Sequence, residues 1–229
     1  MPRFFNTGGP CRADRHYMLP AGQRLPGVER LIERQHYFVV HAPRQAGKTT
    51  ALRALADALV AAGRYAAVLV TAEQGAALAG DIGAAEEAIL GEWSSAAGDL
   101  PPSLRPPAWP TAPTGDRIRA ALEAWAEACP RPLVVFIDEI DALRDDVLLS
   151  VLRQLRAGHR RRPEHFPWSL ALVGLRDVRD YKFAGDERGR LGTASPFNIK
   201  VESLTLRDFS RDEVAELYGQ HTEETGQRF

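Results

Sequence analysis

Apolar runs alternate with longer amphipathic stretches along most of the chain. Unbroken apolar runs predict buried strands at residues 38–40, 65–71, 133–138 and 169–175. A fifth strand is expected at residues 198–206, with Ile199, Val201 and Leu204 as its alternating apolar positions. Apolar residues at helical spacing and turn signals predict helices at residues 27–33, 50–62, 81–93, 116–129, 145–158 and 210–222. Strands that alternate with helices in this way indicate an α/β fold built on a parallel sheet.

Two stretches depart from this alternation. Residues 1–25 are rich in Gly, Pro and Arg without a clear period, so we expect an ordered coil that precedes the core. Residues 99–114 are crowded with prolines while the sheet is still incomplete, which indicates a surface excursion of one domain and not a linker between two. At 229 residues the chain is about the size of one α/β domain.

The segment after the first strand carries the pattern of a phosphate-binding loop. It reads A-P-R-Q-A-G-K-T-T from Ala42 to Thr50 and matches G-x-x-x-x-G-K-[ST], except that Ala42 replaces the first glycine. That position ends the strand and tolerates a small side chain, whereas Gly47 would lie beside the phosphates with little room for a Cβ atom. The expected nucleotide-binding residues are Pro43, Arg44, Gln45, Ala46, Gly47, Lys48, Thr49 and Thr50.

The residue types in this loop suit the chemistry of nucleotide phosphates. Backbone N–H groups and the N-terminus of the following helix attract the α- and β-phosphates. Lys48 would reach the β- and γ-phosphates as a point charge, and the Thr49 hydroxyl would bind the Mg²⁺ that bridges them. The alternative is a Gly-Lys-Thr sequence at an ordinary helix start.

A second motif, L-V-V-F-I-D-E-I-D, follows at residues 133–141. Its five apolar residues predict a strand buried on both faces of a parallel sheet. Ligands of open α/β sheets bind at the carboxyl ends of the strands, so Asp138 is expected in the Mg²⁺ coordination shell. Glu139 is the proposed general base for an attacking water. A buried strand that ends in solvated acids remains the alternative.

The order of these motifs resembles the P-loop NTPases with a catalytic glutamate, specifically the AAA+ and STAND-like ATPases. Further strings, among them F-F-N-T-G-G-P, I-D-E-I-D-A-L and G-L-R-D-V-R-D-Y, look like a family of bacterial AAA-like ATP-binding proteins, and the likeness covers nearly the whole chain. The resemblance implies a three-layer P-loop fold with a mostly parallel central sheet, with ATP and Mg²⁺ as cofactors.

The resemblance also implies roles for residues outside the two motifs. The strand at residues 169–175 would lie between the strands that precede Lys48 and Asp138, so Arg176 at its end is a candidate catalytic sensor of the γ-phosphate. An ion pair of Arg176 with Asp177, Asp180 or Glu139 is the alternative. In similar ATPases the N-terminal segment passes over the adenine, which makes Phe4, Phe5 and Tyr17 candidates for base stacking unless they only pin the coil to the core.

The resemblance further suggests that a helical lid is largely absent. Residues 1–26 are assigned to a coil that contributes to the nucleotide site, residues 27–209 to the P-loop core, and residues 210–229 to the start of a truncated lid. Ser210 to Glu213 (S-R-D-E) fits a capping box that opens the last helix. We expect a nucleotide-binding core cut from a longer protein or a truncated reading frame, with oligomers only in a longer form.

The composition bears on nucleic-acid binding, cysteine chemistry and cellular location. The 29 basic and 30 acidic residues nearly cancel, which gives no overall electrostatic footprint for nucleic acid. Two cysteines, Cys11 and Cys129, are too few for a disulfide framework or a zinc site and are expected to be free thiols. No segment has the apolar character of a signal peptide or a membrane span, so a cytoplasmic protein without a membrane partner is expected.

Arginine clusters provide two further hypotheses. The basic run at residues 156–163 either complements the dipole of the preceding helix or binds nucleic acid, although no aromatic residues interleave it. A mobile loop is predicted at residues 181–196. Arg179, just before this loop, and Arg188 and Arg190 within it could act as fingers to a neighbouring subunit's nucleotide or could simply be solvated.

Three functions fit these observations. The first is an ATPase that couples hydrolysis to an unknown protein or nucleic-acid partner. The second is a STAND-like switch in which bound ATP holds one conformation and hydrolysis is slow. The third, a small-molecule P-loop kinase, ranks last because the acid pair suits water activation and no arginine-rich lid follows. The absence of an Asn-Lys-x-Asp string favours ATP over GTP.

Overall fold

A five-stranded sheet forms the centre of the molecule in the computed structural model, which describes residues 3–176 and 199–228. All pairings within the sheet are parallel, and the strand order is β2-β3-β4-β1-β5. The strands are β1 Tyr37–His41, β2 Ala66–Thr71, β3 Leu133–Asp138, β4 Ser169–Gly174 and β5 Lys200–Thr205. The expected place of β4 between β1 and β3 is therefore confirmed.

Helices cover both faces of this sheet and complete the predicted three layers. They are α1 Ala21–Arg24, α2 Val28–Glu33, α3 Lys48–Ala61, α4 Ile82–Ala96, α5 Arg117–Ala128, α6 Asp145–Gly158 and α7 Arg211–Thr225. The short α1 lies inside the segment that the sequence predicted as coil, and α3 begins two residues earlier than predicted. No helix in the described part of the chain is both long and apolar enough to cross a membrane.

Two hydrophobic cores result from the alternation of side chains along the strands. Tyr37 and Val39 of β1 face a core shared with α4, α5 and α6, while Phe38 and Val40 face a second core shared with α2 and α3. Both faces of β1, β3 and β4 are buried, which explains why their sequences are continuous apolar runs and not alternating ones.

The proline-rich excursion lies on the surface, as predicted, and a few side chains anchor it to the core. Leu100 and Leu104 are buried, and the ring of Trp109 lies 5.9 Å from that of Trp125. The Trp125 indole N–H donates to the carbonyl of Leu104 at 3.0 Å. These contacts place the excursion against α4 and α5 as part of the same domain.

The predicted apolar alternation in β5 fails at Val201, which is 59% exposed. Tyr37 pairs with Lys200 but Phe38 pairs with Glu202, so one extra residue enters β5 at this point. Such a bulge leaves the inserted residue unpaired and changes which side chains face the core. Leu204 lies beyond the bulge and packs against the core shared with α2 and α3.

We predict opposite effects of alanine at two helical glycines. A Cβ atom on Gly158 would lie 2.2 Å from the ring of buried Phe166, whereas none of the described atoms lies within 4 Å of a Cβ on Gly91 of α4. Gly158→Ala should lower the free energy of unfolding by about 1–3 kcal/mol through overpacking. Gly91→Ala should raise it by roughly 0.5–1 kcal/mol because alanine favours the helix. Urea denaturation measures both, and a Gly158→Ala protein as stable as the parent would contradict this packing.

Candidate functional site

The loop between β1 and α3 holds an unusual backbone conformation. Gln45 has a φ of 62° and Gly47 a φ of 87°, both in the left-handed region. A Cβ atom on Gly47 would meet none of the described atoms within 4 Å, so within the chain itself the backbone angle, more than crowding, explains the glycine. Ala42 is buried at the end of β1, as expected for a small residue in the first position.

Lys48 begins α3 and turns its side chain back towards the start of the loop. Its Nζ donates hydrogen bonds to the carbonyl oxygens of Ala42 at 2.9 Å and Pro43 at 3.0 Å. The side chain is buried, which makes these two bonds necessary to offset the loss of water around the ammonium group. The loop thus surrounds the Lys48 ammonium group, and phosphate oxygens could replace the two carbonyls as its hydrogen-bond acceptors.

The two predicted magnesium ligands lie side by side. The Thr49 hydroxyl donates to Oδ2 of Asp138 at 2.7 Å, and the Glu139 N–H donates to Oδ1 of the same carboxylate at 2.9 Å. Asp138 is buried at the carboxyl end of β3. The arrangement brings the first turn of α3 and the second motif to one edge of the sheet.

The donor set of this pair fits Mg²⁺ held jointly with phosphates. A hydroxyl and a carboxylate are hard oxygen ligands, and Mg²⁺ commonly takes one or two protein ligands together with water and phosphate oxygens. Within residues 3–176 and 199–228, no group of three or more His, Cys, Asp and Glu residues is placed to hold a metal by itself. Thr49 and Asp138 could therefore supply two of the oxygen ligands of a Mg²⁺ whose other ligands are water and phosphate oxygens.

Glu139 follows Asp138 and occupies a strained position. Its backbone lies in the left-handed region, with a φ of 54° and a ψ of 35°, which is costly for a residue with a side chain. Burial raises the pKa of its carboxyl group, the charges of Asp138 and Asp141 raise it further, and Lys48 lowers it. The structure thus places beside Thr49 and Asp138 a carboxyl group with a raised pKa.

Two acidic residues near Glu139 were not predicted as site residues. Glu73, in a short 3₁₀ helix after β2, adds a smaller upward effect on the pKa of Glu139. Asp141 has a buried oxygen, Oδ1, without a hydrogen-bond partner in the described structure. The only available sequence signal for Glu73 was its place just after a strand, at the same edge of the sheet as Asp138.

Arg176 lies two residues beyond the end of β4 and is exposed. No hydrogen bond or ion pair joins its side chain to Glu139 or to any other residue in the described ranges. Asp177 and Asp180, its alternative partners, lie outside the described residues, as do Arg179, Arg188, Arg190 and the predicted loop at 181–196. Because β4 lies between β1 and β3, Arg176 follows the strand nearest to both motifs.

The N-terminal coil contacts both the phosphate loop helix and α7. The backbone N–H of Cys11 donates to the Thr50 hydroxyl at 3.0 Å, so this hydroxyl binds the coil. The ring of Phe5 lies 4.9 Å from that of Tyr17 and 5.6 Å from that of Tyr218. These contacts favour the hypothesis that the aromatic residues pin the coil, with α7 as the element to which it is pinned.

The basic run at the end of α6 is engaged with neighbouring protein groups. Arg161 pairs with Glu123 at 2.7 Å, and the Arg162 side chain donates to the carbonyl of Gln35 and lies over the Tyr37 ring. Burial and the nearby Arg162 charge lower the pKa of His159 to about 4. These contacts favour a structural role for this part of the run over a nucleic-acid surface.

Comparisons with known proteins concern the family and the fold of the chain. The sequence model of the AAA ATPase domain family matches residues 28–168. No curated protein sequence matches the chain significantly.

Solved structures share the fold at low sequence identity. The chain is similar to the Walker-type ATPase Paby2304 of Pyrococcus abyssi, with a TM-score of 0.63 and 14% identity over 98% of this chain and 63% of that one. It is also similar to AMPPCP-bound DnaA from Aquifex aeolicus, with a TM-score of 0.51 and 11% identity over 88% of this chain and 50% of that one. The chain thus spans less than two thirds of the length of either structure.

We predict that Lys48→Ala abolishes detectable ATP binding while the chain stays folded. The substitution removes the buried ammonium group that donates to the carbonyls of Ala42 and Pro43 at the start of the loop. Equilibrium titration with a fluorescent ATP analogue measures affinity, and circular dichroism checks folding. Lys200→Ala, on the edge strand β5, is the matched control and should bind as the parent does. Undiminished affinity in a folded Lys48→Ala protein would contradict the phosphate-loop interpretation.

Proposed function

This chain belongs to the AAA ATPase domain family, and we propose that it binds ATP with Mg²⁺ and hydrolyses it to ADP and phosphate. The proposal includes coupling of this reaction to an unknown protein or nucleic-acid partner in the cytoplasm. We also propose a division into an N-terminal segment at 1–26 that is coil apart from α1, a core at 27–209 and a C-terminal helical segment at 210–229.

The hydrogen bond between Thr49 and Asp138 is the observation that carries the proposal. It joins two motifs that are 89 residues apart in sequence, and each motif independently predicts one ligand of the same cation. Bound Mg²⁺ would neutralise charge on the phosphates. Thr49 and Asp138 would hold it, while Lys48 and the N–H groups of the loop would bind the phosphate oxygens.

The position of Glu139 supports the hydrolysis step. A carboxylate with a raised pKa accepts a proton more readily than an ordinary one, which is the requirement for a general base that works near neutral pH. The Asp138 carboxylate accepts hydrogen bonds from the Thr49 hydroxyl and from the Glu139 N–H, and these two bonds hold the backbone of Glu139 in place. Arg176 is the proposed sensor of the γ-phosphate because it follows the strand between the two motifs.

A nucleotide-dependent switch with slow hydrolysis is the second candidate, and one observation favours it. No hydrogen bond from a residue in the described ranges orients the Glu139 side chain. An unoriented base spends little time in the geometry that proton transfer requires. The two candidates share Lys48, Thr49 and Asp138 and differ in how fast bound ATP turns over.

We predict that Glu139→Gln retains ATP binding but slows hydrolysis by roughly two to four orders of magnitude, the usual contribution of a general base. The amide cannot accept the proton, although it keeps nearly the same shape. Single-turnover hydrolysis of radiolabelled ATP measures the step directly. Glu29→Gln, an exposed glutamate on α2, is the control and should react at the parental rate. Equal rates for Glu139→Gln and the parent would assign water activation to another residue and favour the switch.

We predict that Asp138→Asn weakens ATP binding at least about tenfold when Mg²⁺ is present, because a charged ligand of the cation is lost. In EDTA the variant and the parent should bind ATP alike. Calorimetric titrations under the two conditions separate the cation-dependent part of the affinity. Asp57→Asn, at an exposed position on α3, should not change either value. An equal loss of affinity in EDTA and in Mg²⁺ would indicate damage to the loop and not loss of a cation ligand.

A further inference from the structure

Helix α7 is attached to the rest of the molecule by polar and aromatic contacts. None of its residues is buried. Gln220 donates to the carbonyl of Met18 at 2.9 Å, Glu216 accepts from Gln23 at 3.0 Å, and Glu224 pairs with Arg3 at 3.0 Å. A helix held in this way can shift its position at lower cost than one packed into a core.

Arg24, at the end of α1, is the buried charge in this region. Its side chain is only 7% exposed. Nη2 donates to the carbonyl of Arg207 at 2.8 Å and to the carbonyl of Ala46 at 3.3 Å. Nη1 lies 3.5 Å from both carboxylate oxygens of Glu213, and the guanidinium carbon lies 4.1 Å from the centre of the Phe209 ring. One side chain thus contacts the phosphate loop, the connection after β5 and the first turn of α7.

The hydrogen bond from Arg24 to the Ala46 carbonyl bears on phosphate binding. A trans peptide is planar, so the carbonyl of Ala46 and the N–H of Gly47 point in opposite directions across one plane. Gly47 has the left-handed conformation that turns the loop into α3. By holding the Ala46 carbonyl, Arg24 fixes the direction of the Gly47 N–H, one of the donors expected to bind phosphate.

The contact with α7 involves the carboxylate that caps the helix. Oε2 of Glu213 accepts from the backbone N–H of Ser210 at 2.7 Å, and the Ser210 hydroxyl accepts from the N–H of Glu213 at 3.2 Å. The Ser210 N–H and the Arg24 charge lower the pKa of Glu213, so this group is ionised at neutral pH. The capping box therefore defines the position of the Glu213 carboxylate, which faces the guanidinium that also donates to the Ala46 carbonyl of the loop.

We propose that Arg24 is a positioning residue that couples the conformation of the phosphate loop to the docking of α7. This inference rests on the proposed ATP site and adds to it a route by which nucleotide occupancy and the position of α7 affect each other. A guanidinium has a planar set of donors and keeps its charge at all ordinary pH values. If α7 moves and withdraws Glu213, the buried Arg24 loses its charged partner and must find another hydrogen-bond acceptor. The coupling is reciprocal because it is an equilibrium property.

The test uses the 229-residue chain and four single variants. Arg24→Gln removes the charge and the fork of donors, and Glu213→Gln removes the facing charge while an amide oxygen can still accept from the Ser210 N–H. The matched controls are Arg30→Gln, an exposed arginine on α2 with a 3.9 Å pair to Glu202, and Glu216→Gln, an acid on α7 that contacts Gln23 but not Arg24. ATP affinity is measured by titration, and hydrogen exchange of the α7 amides is followed with and without saturating ATP.

Coupling predicts a specific set of results. Arg24→Gln should weaken ATP binding roughly tenfold, the effect of a hydrogen bond to a charged group. Glu213→Gln should weaken it several-fold although it touches no loop residue. In the parent, ATP should change the exchange of the α7 amides, and both variants should lose that change at saturating ATP. A double variant that combines Arg24→Gln with Glu213→Gln should bind ATP no more weakly than Arg24→Gln alone, because both substitutions interrupt the same contact.

Other outcomes overturn the inference in distinguishable ways. If the parent binds no ATP, the proposed function is wrong and this inference with it. If the parent binds ATP but Arg24→Gln and Glu213→Gln keep parental affinity and parental exchange of α7, only the coupling is wrong. If Arg24→Gln fails to fold, Glu213→Gln decides the question alone. If Arg24→Gln weakens ATP binding but ATP still changes hydrogen exchange of the α7 amides as in the parent, Arg24 supports the phosphate loop locally and does not couple it to α7.

Discussion

The hydrogen bond between the Thr49 hydroxyl and the Asp138 carboxylate is the interaction on which the interpretation of this molecule depends. It spans 2.7 Å between the first turn of α3 and the end of β3, and the strand order brings these two elements to the same edge of the sheet. A carboxylate buried at this position needs partners for its charge. The threonine hydroxyl and the N–H of Glu139 are those partners, and a bound cation could share or replace the first of them.

The central strands and the loop were predictable because their signals are local. Continuous apolar runs identify strands buried on both faces, and the spacing of Gly47, Lys48 and Thr49 specifies a phosphate loop within a few residues. The pairing of Asp138 with Thr49 followed from a general property of parallel sheets and not from the sequence between them. The fold class was therefore predicted correctly from short segments of sequence, and the candidate site residues were proposed from the same segments.

Other features depended on contacts that no local pattern encodes. The exposure of Val201 results from a bulge that shifts the register against β1, and the three-residue step from Val201 to Leu204 in the sequence does not say where the extra residue enters. The contacts of Arg24 join residues up to 189 positions apart. Its local sequence therefore could not distinguish it from a solvated arginine on the surface. The raised pKa of Glu139 likewise arises from burial and from acids on different elements.

The most direct test of the account is a crystal structure of this chain with Mg²⁺ and a non-hydrolysable ATP analogue. The account predicts a cation about 2.1 Å from the Thr49 hydroxyl oxygen, with Asp138 in its coordination shell directly or through water. It also predicts that the Lys48 ammonium has exchanged the carbonyls of Ala42 and Pro43 for phosphate oxygens. A nucleotide bound at another place, or one bound in the loop with Thr49 and Asp138 still joined and no cation beside them, would contradict it.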